Sequence, residues 1–191
     1  MLWTHEATFS VTCNRWGKVK RRPGSDPYDP KFVQHTVKHP QYLMVWGCFS
    51  YYGTGKLIVL PTNQTVNKER YFEILVDHLE ECFEATNSDF FQQDGAKAHT
   101  AKLITNYLDF CGINYFSDWP GNSPDLNPIE NLWGIMKSQL RKRDVSSISK
   151  LKLALQDIWD NLDPQLLKNL ALSIPKRLQA VIKTKGGSTK Y

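Results

Sequence analysis

A chain of 191 residues in which 41% are hydrophobic is long enough to bury a substantial core as one domain, and a formal net charge of +5 favours a polyanionic partner. Cys13, Cys48, Cys82 and Cys111 are scattered, with no Cys-x-x-Cys pair and no zinc-like spacing to histidine, which excludes a disulfide framework and a zinc finger and suits reduced thiols. No stretch has the apolar length of a membrane span, and His5 and Glu6 stand where a secretory signal would be apolar, so the expected location is intracellular rather than secreted.

Residues 1–13 read as a strand, with Thr8, Phe9, Val11 and Cys13 among its strand formers. Residues 14–42 change character. Arg15, Lys18, Lys20, Arg21, Arg22, Lys31 and Lys38 are interleaved with Trp16, Tyr28 and Phe32, while Pro23, Gly24, Pro27 and Pro30 interrupt any regular element. The spacing predicts a long loop or hairpin; each charge alone suits a solvated hairpin, and as a group they suit phosphate contact.

Residues 43–50 and 55–60 read as two strands joined by the turn 51–54, giving an antiparallel meander with the first. Residues 66–83 place Tyr71, Ile74, Leu75, His78, Leu79 and Cys82 at helical spacing. A fourth strand covers 90–93, a helix 100–110 presents Leu103, Ile104, Tyr107 and Leu108 on one face, and a fifth strand covers 113–116 after Gly112. Two amphipathic helices, 147–162 and 164–182, follow the helix that begins near residue 127, and 186–191 is expected to fray.

Two acids stand out. Asp94 ends the apolar run from Phe90 and precedes Gly95, the place for a carboxylate at the C-terminal end of a strand facing a cleft, or for an ordinary turn residue. Glu130 lies in the first turn of a well-marked helix, where Asn127 can cap, Pro128 fits the first position, and Ile129, Leu132, Trp133, Met136 and Leu140 form an apolar face. Standing three residues after Asn127, it could equally complete a capping box. Two carboxylates from separate elements suit magnesium or manganese, which prefer oxygen ligands. Two such ions about 3.5–4 Å apart can activate the attacking oxygen and stabilise the leaving one in phosphodiester chemistry. Lys97 and His99 lie at a helix entry, and Arg141, Lys142 and Arg143 at a helix end, where cations also complement the helix dipole.

The strings QQDGAKAH, DWPGNSPDLNPIENLW and HPQYLMVWGCFS closely resemble the catalytic domain of mariner-type transposases, whose triad is Asp, Asp, Glu or Asp. The resemblance covers nearly the whole chain and weakens over the C-terminal helices. It implies an α/β ribonuclease-H-like fold with a mixed five-stranded sheet, helices on both faces and extra C-terminal helices. The implied division is a catalytic domain over 1–145 carrying the 14–42 insertion, a helical extension of the same domain over 146–185, and a tail. The predicted element order agrees with it.

The resemblance further implies metal-dependent DNA cleavage and strand transfer, with Mg2+ or Mn2+ held by Asp94 and Glu130 as the second and third acids. Their separation of 130 − 94 = 36 leaves 35 intervening residues, within the range of subgroups whose third acid is Glu. DNA contacts are implied at Arg15, Lys18, Lys20, Arg21, Arg22, Lys97, His99, Arg141, Lys142 and Arg143, together with dimerisation through the 14–42 loop and a nuclear location. Helix-turn-helix domains normally precede this region, whereas Met1 stands almost inside the first strand, so site-specific reading of transposon ends is expected to be absent from these residues.

One departure changes the expectation. Where the family has an aromatic-Ser-Asp-Glu-Ser-x-Phe pattern, this chain has Trp3-Thr4-His5-Glu6-Ala7-Thr8-Phe9, so His5 holds the position of the first catalytic aspartate. Losing a carboxylate removes a negative charge and an oxygen ligand, and imidazole suits zinc or manganese better than magnesium. Cleavage is therefore expected to be impaired, and the alternative is a DNA-binding or self-associating transposase relic that cuts nothing. Glu6 cannot substitute without a bulge, because adjacent strand residues face opposite ways.

Overall fold

The structure, a computed structural model, describes residues 1–11, 24–26, 40–121, 123–187 and 189–191. The basic cluster of Arg15, Lys18, Lys20, Arg21 and Arg22, and the dimer contact expected of the 14–42 loop, lie outside the described residues apart from positions 24–26 and 40–42.

Strands β1 (Leu2–Ser10), β2 (Tyr42–Phe49) and β3 (Thr54–Val59) form the expected antiparallel meander, and β4 (Phe91–Gln92) pairs in parallel with β1, giving the order β3-β2-β1-β4. The fifth strand expected at 113–116 is reduced to a single parallel bridge between Phe91 and Tyr115. The reason is local. Its partner β4 is two residues long, Phe91 donates its amide to the Asn114 carbonyl at 2.7 Å, and Phe116 then turns outward to stack between Phe90 and Trp119.

Period-2 alternation divides the sheet between two cores. Trp3, Ala7 and Phe9 of β1, with their cross-strand partners Phe49, Val45 and Leu43, face helices α3 (Pro128–Leu140), α4 (Ile148–Asp160) and α5 (Pro164–Leu172). Leu2, Trp46, Cys48 and Phe91 face α1 (Lys68–Thr86) and α2 (Lys102–Phe110) on the other side. Helices thus cover both faces, as expected, and the C-terminal helices share a core with the strands. Among the described residues no helix is long and apolar enough to cross a membrane.

The single helix expected over 164–182 is two, α5 and α6 (Ile174–Lys183), because Pro175 has no amide to offer the Ala171 carbonyl. Ser173 closes the break by donating its hydroxyl to the Leu170 carbonyl at 2.6 Å. The tail also departs from expectation: Thr189 is hydrogen-bonded to Asp125 rather than frayed.

Packing of α3 on the sheet depends on a glycine. Gly47 lies opposite His5, and a Cβ there would stand 2.7 Å from Cη2 of Trp133 and 3.0 Å from Cη2 of Trp159. The two indoles stack 5.4 Å apart, Phe9 meets Trp133 edge-on, and Trp159 donates its Nε1 hydrogen to the Gly55 carbonyl at 2.9 Å. Trp133 is one turn after Glu130, so this contact sets the height of the acid above the sheet.

Candidate active site

Three elements meet at Thr4. Its hydroxyl donates to the Gln92 carbonyl at 3.0 Å, tying β1 to the strand that ends before Asp94. Its own carbonyl accepts from Nδ2 of Asn127 at 3.2 Å, tying β1 to the start of α3. Asn127 occupies the N-cap position, as expected, but makes no side-chain cap bond: its Nδ2 is committed to the Thr4 carbonyl, and its Oδ1, the atom that would cap, is buried without a partner. Pro128 has no amide to satisfy, and the Glu130 amide donates to the Asn127 carbonyl at 3.2 Å. Thr4 and this use of Asn127 were not legible in the sequence, where neither residue carries a charge or a motif of its own.

With those ties in place, His5, Asp94 and Glu130 converge. Nε2 of His5 is 2.7 Å from Oε1 of Glu130, and Nδ1 is 3.4 Å from Oδ2 of Asp94, an ion-pair distance without hydrogen-bond geometry. Glu130 therefore does not close a capping box; its carboxylate is turned to the imidazole. Asp94 combines both of its expected roles. Its Oδ1 accepts the Ala96 amide at 2.9 Å in a local turn, while Oδ2 faces the cleft beside His5.

Glu6 packs on the opposite face of β1 with its Oε2 still 3.9 Å from Nδ1 of His5, and it meets a second histidine. His99, a candidate DNA contact, is buried to 3% exposure. Its ring stacks on Tyr71 at 4.0 Å, its Nδ1 lies 2.5 Å from Oδ1 of Asp94, and its Nε2 lies 3.1 Å from Oε1 of Glu6. Gln93 completes the arrangement, accepting from the Tyr71 hydroxyl at 2.9 Å and donating to the His99 carbonyl at 3.2 Å. A histidine placed five residues after Asp94, flanked by small residues, is the one signal that could have suggested it folds back onto that acid.

The electrostatics follow from this crowding. Burial disfavours charge on His5, but contacts with Asp94 and Glu130 and the nearby Glu6 outweigh it and raise the imidazole to about 10. For His99 burial is likewise outweighed, by Asp94 and Glu6, and the ring is raised to about 9. Burial would raise Asp94, yet His5, His99 and the Ala96 amide hold its carboxyl well below the ordinary range. At neutral pH two imidazolium ions thus sit among three carboxyl groups. His5, Asp94, Ser123, Pro124, Asn127 and Glu130 line the resulting open cleft of about 310 Å³.

Side-chain arrangement decides whether this cleft suits a pair of divalent cations. Among the described residues no group of three or more His, Cys, Asp and Glu side chains is disposed to hold a metal ion. The charged ring of His5 stands between Asp94 and Glu130 and occupies the electrostatic place of a cation. As arranged, the residues do not fit the three-acid set that the sequence resemblance implies.

Of the remaining candidate DNA contacts, Lys97 is exposed three residues after Asp94, and Arg141 and Lys142 are exposed where α3 ends. Glu130 and Leu140 are ten residues apart on α3, so this basic end lies roughly 15 Å from the acid along the helix. Arg143 is instead ion-paired with Asp157 of α4.

Comparison with known proteins agrees with the geometry. The family model described as DDE superfamily endonuclease matches residues 1–152. The Tcb2 transposase of Caenorhabditis briggsae is 33% identical over 193 residues, covering all of this chain and 70% of the relative. The Tc1 transposase of Caenorhabditis elegans is 30% identical over 203 residues with the same coverage. Among solved structures, the Mos1 mariner paired end complex with Mn superposes with a TM-score of 0.85 at 18% identity, over 99% of this chain and 56% of that one. The Mos1 catalytic domain superposes at 0.68 and 21% identity, over 83% and 80%. The ribonuclease-H-like fold is thereby shown, on a chain spanning a little over half of the full Mos1 transposase. With its acids at the expected strand end and helix start, this chain belongs to the DDE superfamily endonucleases, as a catalytic domain of the Tc1/mariner transposase kind.

Proposed function

We propose that this domain descends from an enzyme of DNA cleavage and strand transfer, that Asp94 and Glu130 occupy its metal-ligand positions, and that His5 impairs cleavage. The observation that carries this is the position of the His5 ring, with Nε2 2.7 Å from Glu130 and Nδ1 3.4 Å from Asp94. Support for DNA as the partner comes from the net charge of +5 and from relatives solved as a paired-end complex with the left transposon end. Support for divalent-metal chemistry in the ancestor comes from Mos1 structures solved with Mn and with Mg.

Within the chain as it stands, Glu130 meets the His5 ring at hydrogen-bond distance, Asp94 faces it as an ion-pair partner, and His99 fixes Asp94 from behind. A second function is favoured by the same ring: binding DNA without cutting it, through Lys97, Arg141 and Lys142 on the exposed surface. Such binding would weaken steeply with salt, since phosphate contacts release counterions.

Manganese-dependent nicking of supercoiled plasmid separates the cases. The chain as written should nick at least about 100-fold more slowly than His5→Asp, a loss of the order expected when an essential group of a catalytic constellation is missing. Adding Asp94→Ala to His5→Asp should abolish the recovered activity. Equal rates for the unaltered chain and His5→Asp would sink the proposal, as would recovered nicking that survives Asp94→Ala.

A further inference from the structure

Outside the region matched by the family model, one buried charge has no part in the site so far. Arg177 of α6 is 2% exposed, the most buried cation of the described residues. Every arm of its guanidinium is used. Nε donates to the Ser173 hydroxyl at 2.7 Å, Nη1 to the Asp125 carbonyl at 2.9 Å, and Nη2 to Oδ1 of Asn131 at 2.7 Å. Burying a guanidinium is costly unless its hydrogen bonds are made, so a charge kept here has to be held by geometry.

The partners are informative. Asp125 belongs to the 3-10 turn Pro124–Leu126, which is flanked by three residues that line the cleft or belong to it: Ser123, Pro124 and Asn127. Asn131 is the residue after Glu130. The arginine therefore bridges the cleft wall and the first turn of the helix that carries the acid, and it anchors both to α6. The tail closes over it. The Asp125 carboxylate accepts the Thr189 amide at 3.0 Å and the Thr189 hydroxyl at 2.7 Å, and the Tyr191 ring lies 4.7 Å from the guanidinium carbon. A planar donor set is required for three acceptors in fixed directions, and lysine cannot reproduce it.

We infer that Arg177, covered by residues 189–191, is a positioning residue for the candidate active site: it clamps the turn 124–126 and the start of α3, and through them sets the contact between Glu130 and residue 5. The inference rests on the proposed function only in taking this cleft as the active one.

The test uses the full chain and two readouts that need no cleavage, with Arg177→Ala, Arg177→Lys and Thr189→Val compared at a temperature where circular dichroism shows all to be folded. Amide exchange is followed at Leu126, Asn127 and Glu130, whose amides donate to Ser123, Pro124 and Asn127. Arg177→Ala should speed exchange at these three by tenfold or more, Thr189→Val by about threefold, and Arg177→Lys by an intermediate factor, with α1 and β2 amides unchanged. The nitrogen-bound proton resonance of His5 Nε2, a signature of its contact with Glu130, should shift or broaden in Arg177→Ala and return towards the parent value in Arg177→Lys. Exchange at the three amides equal to the parent, acceleration by one common factor throughout the molecule, or an unmoved His5 resonance in Arg177→Ala would each overturn the clamp. Failure of His5→Asp to nick DNA bears on the proposed function alone, because neither readout involves cutting.

Discussion

Raising the pH from 6.5 to 10 should destabilise this fold through His5, and the size of the effect can be worked from the site. The imidazole is raised from its ordinary 6.5 to about 10 by its carboxyl neighbours, which outweigh burial. A group raised on folding stabilises the folded state fully below its unfolded value, and that stabilisation is lost as pH climbs through the folded value. The window is therefore 6.5 to 10, and the sign is a fall in stability with rising pH. At 1.36 kcal/mol per pH unit the ceiling is about 5 kcal/mol. The ring is 20% exposed and shares Asp94 with His99, so about 2–3 kcal/mol is the expected difference. Urea denaturation of the parent and of His5→Gln at intervals between pH 6 and 10 reads it directly, since Gln keeps polarity and volume but does not titrate. The advantage of the parent over His5→Gln should be largest near pH 6 and shrink towards pH 10. A gap that stays constant or widens over that window would refute the assignment of His5 as a buried cation.

His99 adds a second window of the same sign, 6.5 to about 9, and His99→Gln should flatten that part of the profile in the same urea series. In the absence of metal His5→Asp should be less stable than the parent, because three carboxyl groups then face one another. Manganese should raise the melting temperature of His5→Asp and leave the parent almost unmoved, with about 2.7 kcal/mol gained at a hundredfold excess over the dissociation constant; equal gains for both chains would show that His5 does not exclude the cation. Gly47→Ala places a methyl 2.7 Å from Trp133 and should cost about 1–3 kcal/mol in thermal denaturation; an unchanged melting temperature would mean that the indole is not held where it stands. Replacing Arg141 and Lys142 together by Ala should lower the slope of log affinity for duplex DNA against log salt by about 1.8, or about 0.9 per phosphate contact. Arg143→Ala should leave that slope unchanged, since Arg143 is committed to Asp157.

Much of this protein was legible in the order of its residues. Period-2 runs gave the meander, 3.6-period runs gave the helices, which the resemblance implied would cover both faces, and Pro128 with the apolar stripe from Ile129 to Leu140 placed Glu130 in the first turn of a helix. The acids could be picked out because one ends an apolar run before Gly95 and the other follows Asn127 and Pro128 at a helix start, places where turn and capping roles suit them as well. The fifth strand and the long last helix were misjudged because both depend on partners: a strand needs a neighbour longer than β4, and a helix needs an amide where Pro175 has none.

What the sequence alone determined was which groups are present, including a histidine in place of an acid at residue 5 and the strand alternation that turns Glu6 away. What only the tertiary structure decided was where their protons and hydrogen bonds go. That Glu130 meets His5 rather than its own helix cap, that His99 is buried against Glu6, and that Arg177 and Thr189 close on the cleft wall all follow from contacts across 46 to 125 residues of chain, as between Arg177 and Asn131 or Glu130 and His5. Local propensity carries no information about such separations, because the energies that fix them, burial against an opposite charge and the filling of a directed donor set, exist only once the elements have packed.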